Sequence, residues 1–510
     1  MAIVEPIDPS AEGRRRLRLA SPATLECVGE IEVRNAGDVR AAVERARKAQ
    51  PEWAALSFGE RGRYLEAAAA RLVEGQDHFL DVLERETGKP PAEMLGAELV
   101  PSCDALRFYA KRAGRLLADR TVPLHLAKTK KLRITYRPLG VVGIITPWNF
   151  PFVLSLNPTV QALIAGNAVL LKPSEVTPYA GQLVAELFAE VGLPEGVLQC
   201  LPGDGETGAA LVEGGVDRIC FTGSVATGRK VAEACARQLI PCTLELGGKD
   251  PMIVCADADL ERAANGAVFG AFANAGQVCI STERVYVVDS VADEFTRKVL
   301  EKTAVLRQGP EGEFDVGPMI AAPQLQVIER QVAEAVAKGA RVLAGGRRNP
   351  AFPGLYWEPT VLADVTHDMA VMREETFGPV LPILRVRDED EAIAYANDSR
   401  FGLSASVWTR DKRKGVRVAK RLQAGSTVVN DCMVTYGLPE APFGGRKDSG
   451  VGQVNGELGL QSYCHAQPIA IDRFGSKSEF VWFPYGARKA HLLKRLLRLL
   501  WGTPLGRLLN

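Results

Sequence analysis

LRITYRPLGVVGIITPWN, residues 132–149, is where the texture of the chain changes. Before it, residues 38–118 read mostly as helices, because DVRAAVERARKAQPEWAAL and ERGRYLEAAAARLVE repeat apolar positions every three or four residues. Within it the residues become β-rich, and VVGIIT (141–146) predicts the first of a series of short apolar strands. The others are AVLLK (168–172), VLQCL (197–201), RICFT (218–222) and CTLEL (242–246), with helical stretches between them such as 178–191 and 227–239. Strands alternating with helices build a parallel, doubly wound sheet. A second alternation follows 280, with VYVV, helices at 291–304 and 323–338, and strands near 342, 381 and 406. The fold class is therefore α/β with two domains, as a chain of 510 residues requires.

Composition excludes several function classes. The net charge of +1 gives no global attraction to nucleic acid. Ten cysteines occur without a CxxC pair and five histidines without helical ligand spacing, which argues against a disulfide scaffold and a zinc site. A reducing cytosol fits this usage, and no metal is expected. The basic run RRRLRLA (14–20) lacks the apolar region a secretory signal needs.

Two glycine-rich stretches compete for a nucleotide phosphate. GDGETG (203–208) matches GxGxxG, with Gly203 and Gly208 at its ends, but the following strand, RICFT, ends without the required acid. FTGSVATG (221–228) is better placed: Phe221 and Thr222 end a strand, and Gly223 and Ser224 open a helix whose free N–H groups suit an anion. Two acids could then bind a ribose. Glu245 lies 22 residues after Gly223, while Lys172 and Glu175 follow strand 168–172. If Glu175 holds the ribose, Glu245 is free for chemistry.

FANAGQVCISTERVYV (272–287) sets Cys279 among small and polar neighbours, whereas an inert cysteine is packed by bulky apolar ones. The stretch reads as built for the close approach of another molecule. In order, ITPWNFP (145–151), LLKPSE (170–175), FTGSVATG, LELGGKDP (244–251), GQVC (276–279), EETFGP (374–379) and PFGGRKDSG (442–450) resemble the NAD(P)-dependent aldehyde dehydrogenase superfamily, from about residue 20 to about 470. LELGGK followed 34 residues after its glutamate by the thiol is the most specific pair.

The resemblance implies Cys279 as nucleophile, Asn149 and the Cys279 N–H as oxyanion donors, and Glu245 as the base that activates water. For the cofactor it implies NAD, with NADP as the alternative. Lys172 and Glu175 would hold the adenosine ribose, Gly223 and Ser224 the pyrophosphate, and Glu375 and Phe377 the nicotinamide ribose and ring. The helix opened by GDGETG would flank the adenine. Ile145, Thr146, Pro147 and Trp148 before Asn149, and Leu246 and Gly247 after Glu245, complete the cofactor set. The domains implied are 1–119 with 139–247 for NAD, 248–446 for catalysis, and 120–138 with 465–478 as an arm joining a homodimer or homotetramer.

Val278, Ile280, Phe150, Phe152, Val153 and Leu154 read as an apolar tunnel wall, and no Arg or Lys adjoins the thiol to hold the carboxylate of a semialdehyde. Asn157-Pro158 is similar to the fatty and aromatic aldehyde branch. An apolar medium- or long-chain aldehyde is expected. The alternatives are an NADP-preferring or CoA-acylating enzyme on a small or aromatic aldehyde, and a non-catalytic nucleotide-binding protein, which an intact set of active residues argues against. The extension 479–510 carries a helix in AHLLKRLLRLLWG with leucines on one arc and Lys494, Arg495 and Arg498 opposite. At about 18 Å it is too short to cross a bilayer and suits contact of 487–501 with a lipid surface, at the cytoplasmic face of a membrane; the alternative is a helix docked on the enzyme's own surface or on a partner subunit.

Overall fold

Val141–Ile145 is an unbroken apolar strand whose five residues are all buried, which only a position inside a covered sheet allows. A computed structural model describes residues 3–9 and 13–504. In it this strand is central to a six-stranded sheet, in the order Gly450–Val451, Cys242–Glu245, Arg218–Thr222, Val141–Ile145, Ala168–Lys172, Leu198–Cys200. All pairs are parallel except that of Gly450–Val451. The chain steps from Val141–Ile145 to one side, through Ala168–Lys172 and Leu198–Cys200, then returns to the other side at Arg218–Thr222. That reversal opens a crevice at the carboxyl ends of the two neighbouring strands, where ligands of such sheets bind.

The second sheet has seven strands, ordered Arg341–Ala344, Thr360–Ala363, Val380–Val386, Thr282–Val288, Asp250–Val254, Ser406–Trp408, Val428–Val429. Only Arg341–Ala344 is antiparallel. Its central strands Asp250–Val254 and Thr282–Val288 are buried at every residue and form the floor of the largest apolar core.

The basic run at the N-terminus is a strand, Arg16–Ala20, in a three-stranded sheet with Val4–Ile7 and Cys27–Glu32. Leu17 and Leu19 point inward, while Arg16 and Arg18 pair with Glu30 across the sheet. A period of two had been hidden by the charges. Another antiparallel sheet joins Arg120–Val122, Lys130–Pro138 and Cys464–Asp472. Cys464–Asp472 is its edge strand, exposed over His465–Asp472. Beyond it, helix Ala487–Trp501 has no buried residue, and 505–510 of the extension lie outside the described residues. No described helix is long and apolar enough to cross a membrane.

Candidate active site

The carboxyl edge of the six-stranded sheet collects most of the sequence candidates. Ile145 and Lys172 are register partners at the ends of their strands, Ile145 also faces Phe221, and Thr222 faces Glu245. Thr146, Pro147, Trp148 and Asn149 follow Ile145, and Glu175 reaches back so that Lys172 Nζ donates to its Oε2 at 3.2 Å. The helix after Thr222 starts at Val225, two residues before its expected start, because the exposed Ser224 hydroxyl caps the Thr227 N–H at 3.2 Å. The Gly223 N–H is bonded to the Glu245 carbonyl at 3.0 Å, so it braces the strand end that carries this carboxylate.

GDGETG forms a capped helix start. Asp204 accepts from the Glu206 N–H, Thr207 donates to the Arg34 carbonyl, and a side chain at Gly203 would meet Thr207 Oγ1 at 2.1 Å. Gly208 is buried, and a Cβ there would lie 4.0 Å from Ile145 Cδ1.

The small residues before the thiol have a use the sequence did not suggest. Asn274, Ala275 and Gly276 are three consecutive left-handed residues, with φ of 50°, 52° and 73°. Each non-glycine in that region costs about 1–2 kcal/mol, so the turn needs holding. Gln277 holds it: its side-chain amide donates to the Asn274 and Pro318 carbonyls (2.8 and 3.2 Å) and accepts from the Ile320 N–H at 2.7 Å. A Cβ at Gly276 would sit 2.2 Å from the Gly378 carbonyl oxygen. Smallness therefore serves backbone packing, and the Ser281 hydroxyl bonds to Gly270 instead of facing a ligand.

The same close packing joins three separate motifs. A Cβ on Gly248 would approach the Cys279 carbonyl oxygen to 2.6 Å, and one on Gly247 would approach Glu375 Oε2 to 2.4 Å. The Gly248 N–H donates to Glu375 Oε1 at 3.0 Å. Phe377, itself left-handed at φ 48°, meets Trp148 edge-on with ring centroids 5.4 Å apart.

Behind this loop lies a buried ion pair that sequence reasoning missed. Glu283 accepts from the Thr376 and Phe377 N–H groups (2.8 and 2.9 Å) and from Lys249 Nζ at 2.6 Å. Both side chains are nearly inaccessible, at 0% and 5% exposure. Removing one partner of such a pair leaves a buried charge and costs about 3–5 kcal/mol. Lys249→Met is accordingly expected to lower unfolding stability by that amount, read from the urea midpoint. A loss of stability below about 1 kcal/mol would show that the pair does not clamp the loop.

Asn149 is 3% exposed, and its Nδ2 donates to the Gln277 carbonyl at 3.0 Å, two residues before the thiol. Asn274 Nδ2 in turn donates to the Asn149 carbonyl at 2.9 Å. The helix that follows, Val153–Ile164, is capped by a distant residue: the Phe152 and Val153 N–H groups donate to Glu98 Oε2 at 3.1 and 3.0 Å. Lys89 pairs with the other Glu98 oxygen at 2.6 Å and lies 3.9 Å over the Phe150 ring. Phe152 packs on Phe79 in the core, and Val278 and Ile280 are core residues too. Of the expected tunnel wall, only Leu154 lines the cavity at the thiol.

That cavity is shared by Cys279 and Glu245, with Leu154, Leu246, Leu403 and Phe443 among its walls. Tyr436 and a second thiol, Cys220, also face it; no Lys or Arg does. Burial pushes the Cys279 thiol well up, and the carboxylates of Asp250, Glu245 and Glu375 add to this. Burial alone raises the Glu245 carboxyl well above the usual range. Neither of its oxygens has a hydrogen-bond partner in the protein. Acid and thiol thus converge on one largely apolar space, while the Asn149 amide, bonded to the Gln277 carbonyl, is not among its walls.

Elsewhere, ligand atoms of Cys255, Asp257 and Glu389 lie within 4.8 Å of one another, and the Lys414 ammonium pairs with both carboxylates there.

Residues 9–469 match the model of the aldehyde dehydrogenase family. The chain is 40% identical to the 4,4'-diapolycopene aldehyde oxidase of Methylomonas sp over 484 residues, 94% of this chain and 91% of the relative. It is 43% identical to a putative succinate-semialdehyde dehydrogenase [NADP(+)] of Mycolicibacterium smegmatis, covering 87% and 86%. A Mycobacterium tuberculosis aldehyde dehydrogenase solved in complex with NAD+ superposes with a TM-score of 0.86 at 37% identity, over 91% of this chain and 96% of that one. With the fold and nine-tenths of the length in agreement, this chain belongs to the aldehyde dehydrogenase family, oxidoreductases that act on aldehydes.

Proposed function

We propose that the protein oxidises apolar medium- or long-chain aldehydes to carboxylic acids, with NAD as oxidant, through a thiohemiacetal and then a thioester on Cys279. The observation that carries this reading is the shared cavity of Cys279 and Glu245, walled by apolar groups and lacking any cation.

The carboxyl edge fits the dinucleotide. Lys172 and Glu175 are paired there, Ser224 stands exposed at the start of a 14-residue helix, and the Glu375 carboxylate and the Trp148–Phe377 edge border the thiol turn. Lys172 and Glu175 would hold the adenosine ribose, Ser224 and its neighbours the pyrophosphate, and Glu375 with Phe377 the nicotinamide end. Bound there, NAD supplies the two-electron oxidation. The Glu175 carboxylate, where a 2′-phosphate would come, favours NAD over NADP.

Burial favours the protonated forms of both the thiol and the carboxyl, so reaction begins when Glu245 ionises and takes the Cys279 proton. The thiolate then adds to the aldehyde carbon, and the resulting oxyanion is met by Asn149 Nδ2 and the Cys279 N–H. After oxidation the carbon is a thioester. Glu245, once it has passed the thiol's proton to solvent, removes a proton from the attacking water; the C–S bond breaks, the carboxylic acid leaves, and that proton returns to the Cys279 sulfur. Glu245 is what separates this hydrolytic course from transfer to coenzyme A.

Two relatives frame the substrate. One is named for diapolycopene aldehyde, the other for succinate semialdehyde, whose carboxylate would find no cation in this cavity. Each buried methylene is worth about 0.8 kcal/mol, or roughly fourfold. The specificity constant for NADH formation is therefore expected to climb by about that factor per carbon from propanal to octanal, with succinate semialdehyde far below octanal. A flat series, or a preference for the semialdehyde, would overturn the assignment.

Assembly as a homodimer or homotetramer through strand Cys464–Asp472 belongs to the same proposal, as does a cytoplasmic workplace beside a membrane.

A further inference from the structure

The extension beyond Asp472 buries nothing, yet eleven of the twenty-seven exposed large apolar side chains among the described residues lie between Phe480 and Trp501. They fall in two groups. Phe480, Val481, Trp482, Phe483 and Tyr485 form an aromatic segment, and Leu492, Leu493, Leu496, Leu497, Leu499 and Trp501 belong to helix Ala487–Trp501. The two are tied together, because Lys489 Nζ donates to the Trp482 carbonyl and lies 5.8 Å over the Tyr485 ring.

Charge selects the occupant of this surface. From Phe480 to the end of the chain there is no Asp or Glu, while Arg488, Lys489, Lys494, Arg495 and Arg498 are all basic. On the helix wheel the leucines cover one arc, and Lys494, Arg495 and Arg498 lie on the opposite side. A second copy of the chain would bring an equally basic helix against this one. An anionic lipid surface supplies both what the leucines need and what the arginines need: acyl chains below and phosphates beside them. Fifteen residues span about 22 Å, so the helix lies in the interface and does not cross it.

We propose that Phe480–Trp501 is a reversible dock for an anionic bilayer, with the aromatic segment and the leucine face inserted and the cationic face at the headgroups. This deepens the apolar-aldehyde reading and rests on it for its purpose, since such substrates partition into lipid; the docking itself is tested without them.

The full-length protein is mixed with vesicles of phosphatidylcholine alone or with about one-third phosphatidylglycerol and sedimented, while NADH formation from propanal is assayed in the absence of vesicles. Pelleting with the anionic vesicles is expected, with at least a tenfold smaller bound fraction for neutral vesicles or in 0.5 M salt. The variant L496D/L497D is expected to lose binding at least tenfold while keeping its propanal rate and its solution mass. Equal pelleting of variant and parent overturns the proposal. So does a variant whose oligomer falls apart, which would make the helix a subunit contact. Loss of the propanal activity of the parent protein would strike the enzymatic reading instead, leaving the vesicle result to stand by itself.

Discussion

Replacing Cys279 with serine is expected to lower aldehyde-dependent NADH formation by at least about 10⁴-fold, the order seen when a covalent nucleophile is removed but the rest of a site remains. Burial and three carboxylates already hold the thiol well above its ordinary range. A hydroxyl, several units less acidic, would not ionise there at all. The second thiol at the cavity sharpens the test. Cys220 is 1% exposed, burial raises its thiol above the ordinary range, and Tyr463 acts against that rise. Cys220→Ser is expected to stay within threefold of the parent rate. If the two variants behaved alike, the assignment of the nucleophile would be wrong.

Glu245→Gln is expected to cut steady-state turnover by about 10²–10⁴-fold, the usual range for a positioned base. Gln is nearly isosteric, and no protein donor is lost because the carboxyl oxygens have none. Folding should therefore be unchanged. The pH dependence carries the distinguishing sign. A carboxyl raised by burial is neutral below its pKa and becomes a base above it, so the parent rate should rise with pH beyond the ordinary carboxylate range. That limb should vanish in the variant. If instead NAD affinity fell and turnover held, Glu245 would be the ribose acid, the rival reading left open by its spacing from Gly223.

How far the sequence could be read depended on what each residue's neighbours revealed. Val141–Ile145, Ala168–Lys172 and Arg218–Thr222 were legible nearly to the residue, because a short apolar run closed by a turn has few other uses in a chain with helices between. Arg16–Ala20 was not, since its two arginines read as a charge run while its two leucines carried the burial. At the site, the candidate residues were visible as motifs but their supports were not. Lys249, Glu283, Lys89 and Glu98 are buried, and nothing in a sequence distinguishes such charges from solvated ones. Lys249 had one signal, its place directly after two glycines at the head of an all-buried strand. Glu98 had none: its two cap bonds reach 54 and 55 residues along the chain. The left-handed turn at Asn274–Gly276 was hinted at by its small residues, and the hint was misread as room for a ligand. At Gly276 it is the tertiary contact with Gly378 that requires the absence of a side chain.

The covalent course can be observed directly. The parent enzyme mixed with octanal and NAD and quenched in acid within its first turnover should gain the mass of one octanoyl group, carried on the peptide that contains Cys279, together with one equivalent of NADH. An unmodified Cys279 peptide beside that same equivalent of NADH would mean that oxidation proceeds without a thioester on this sulfur.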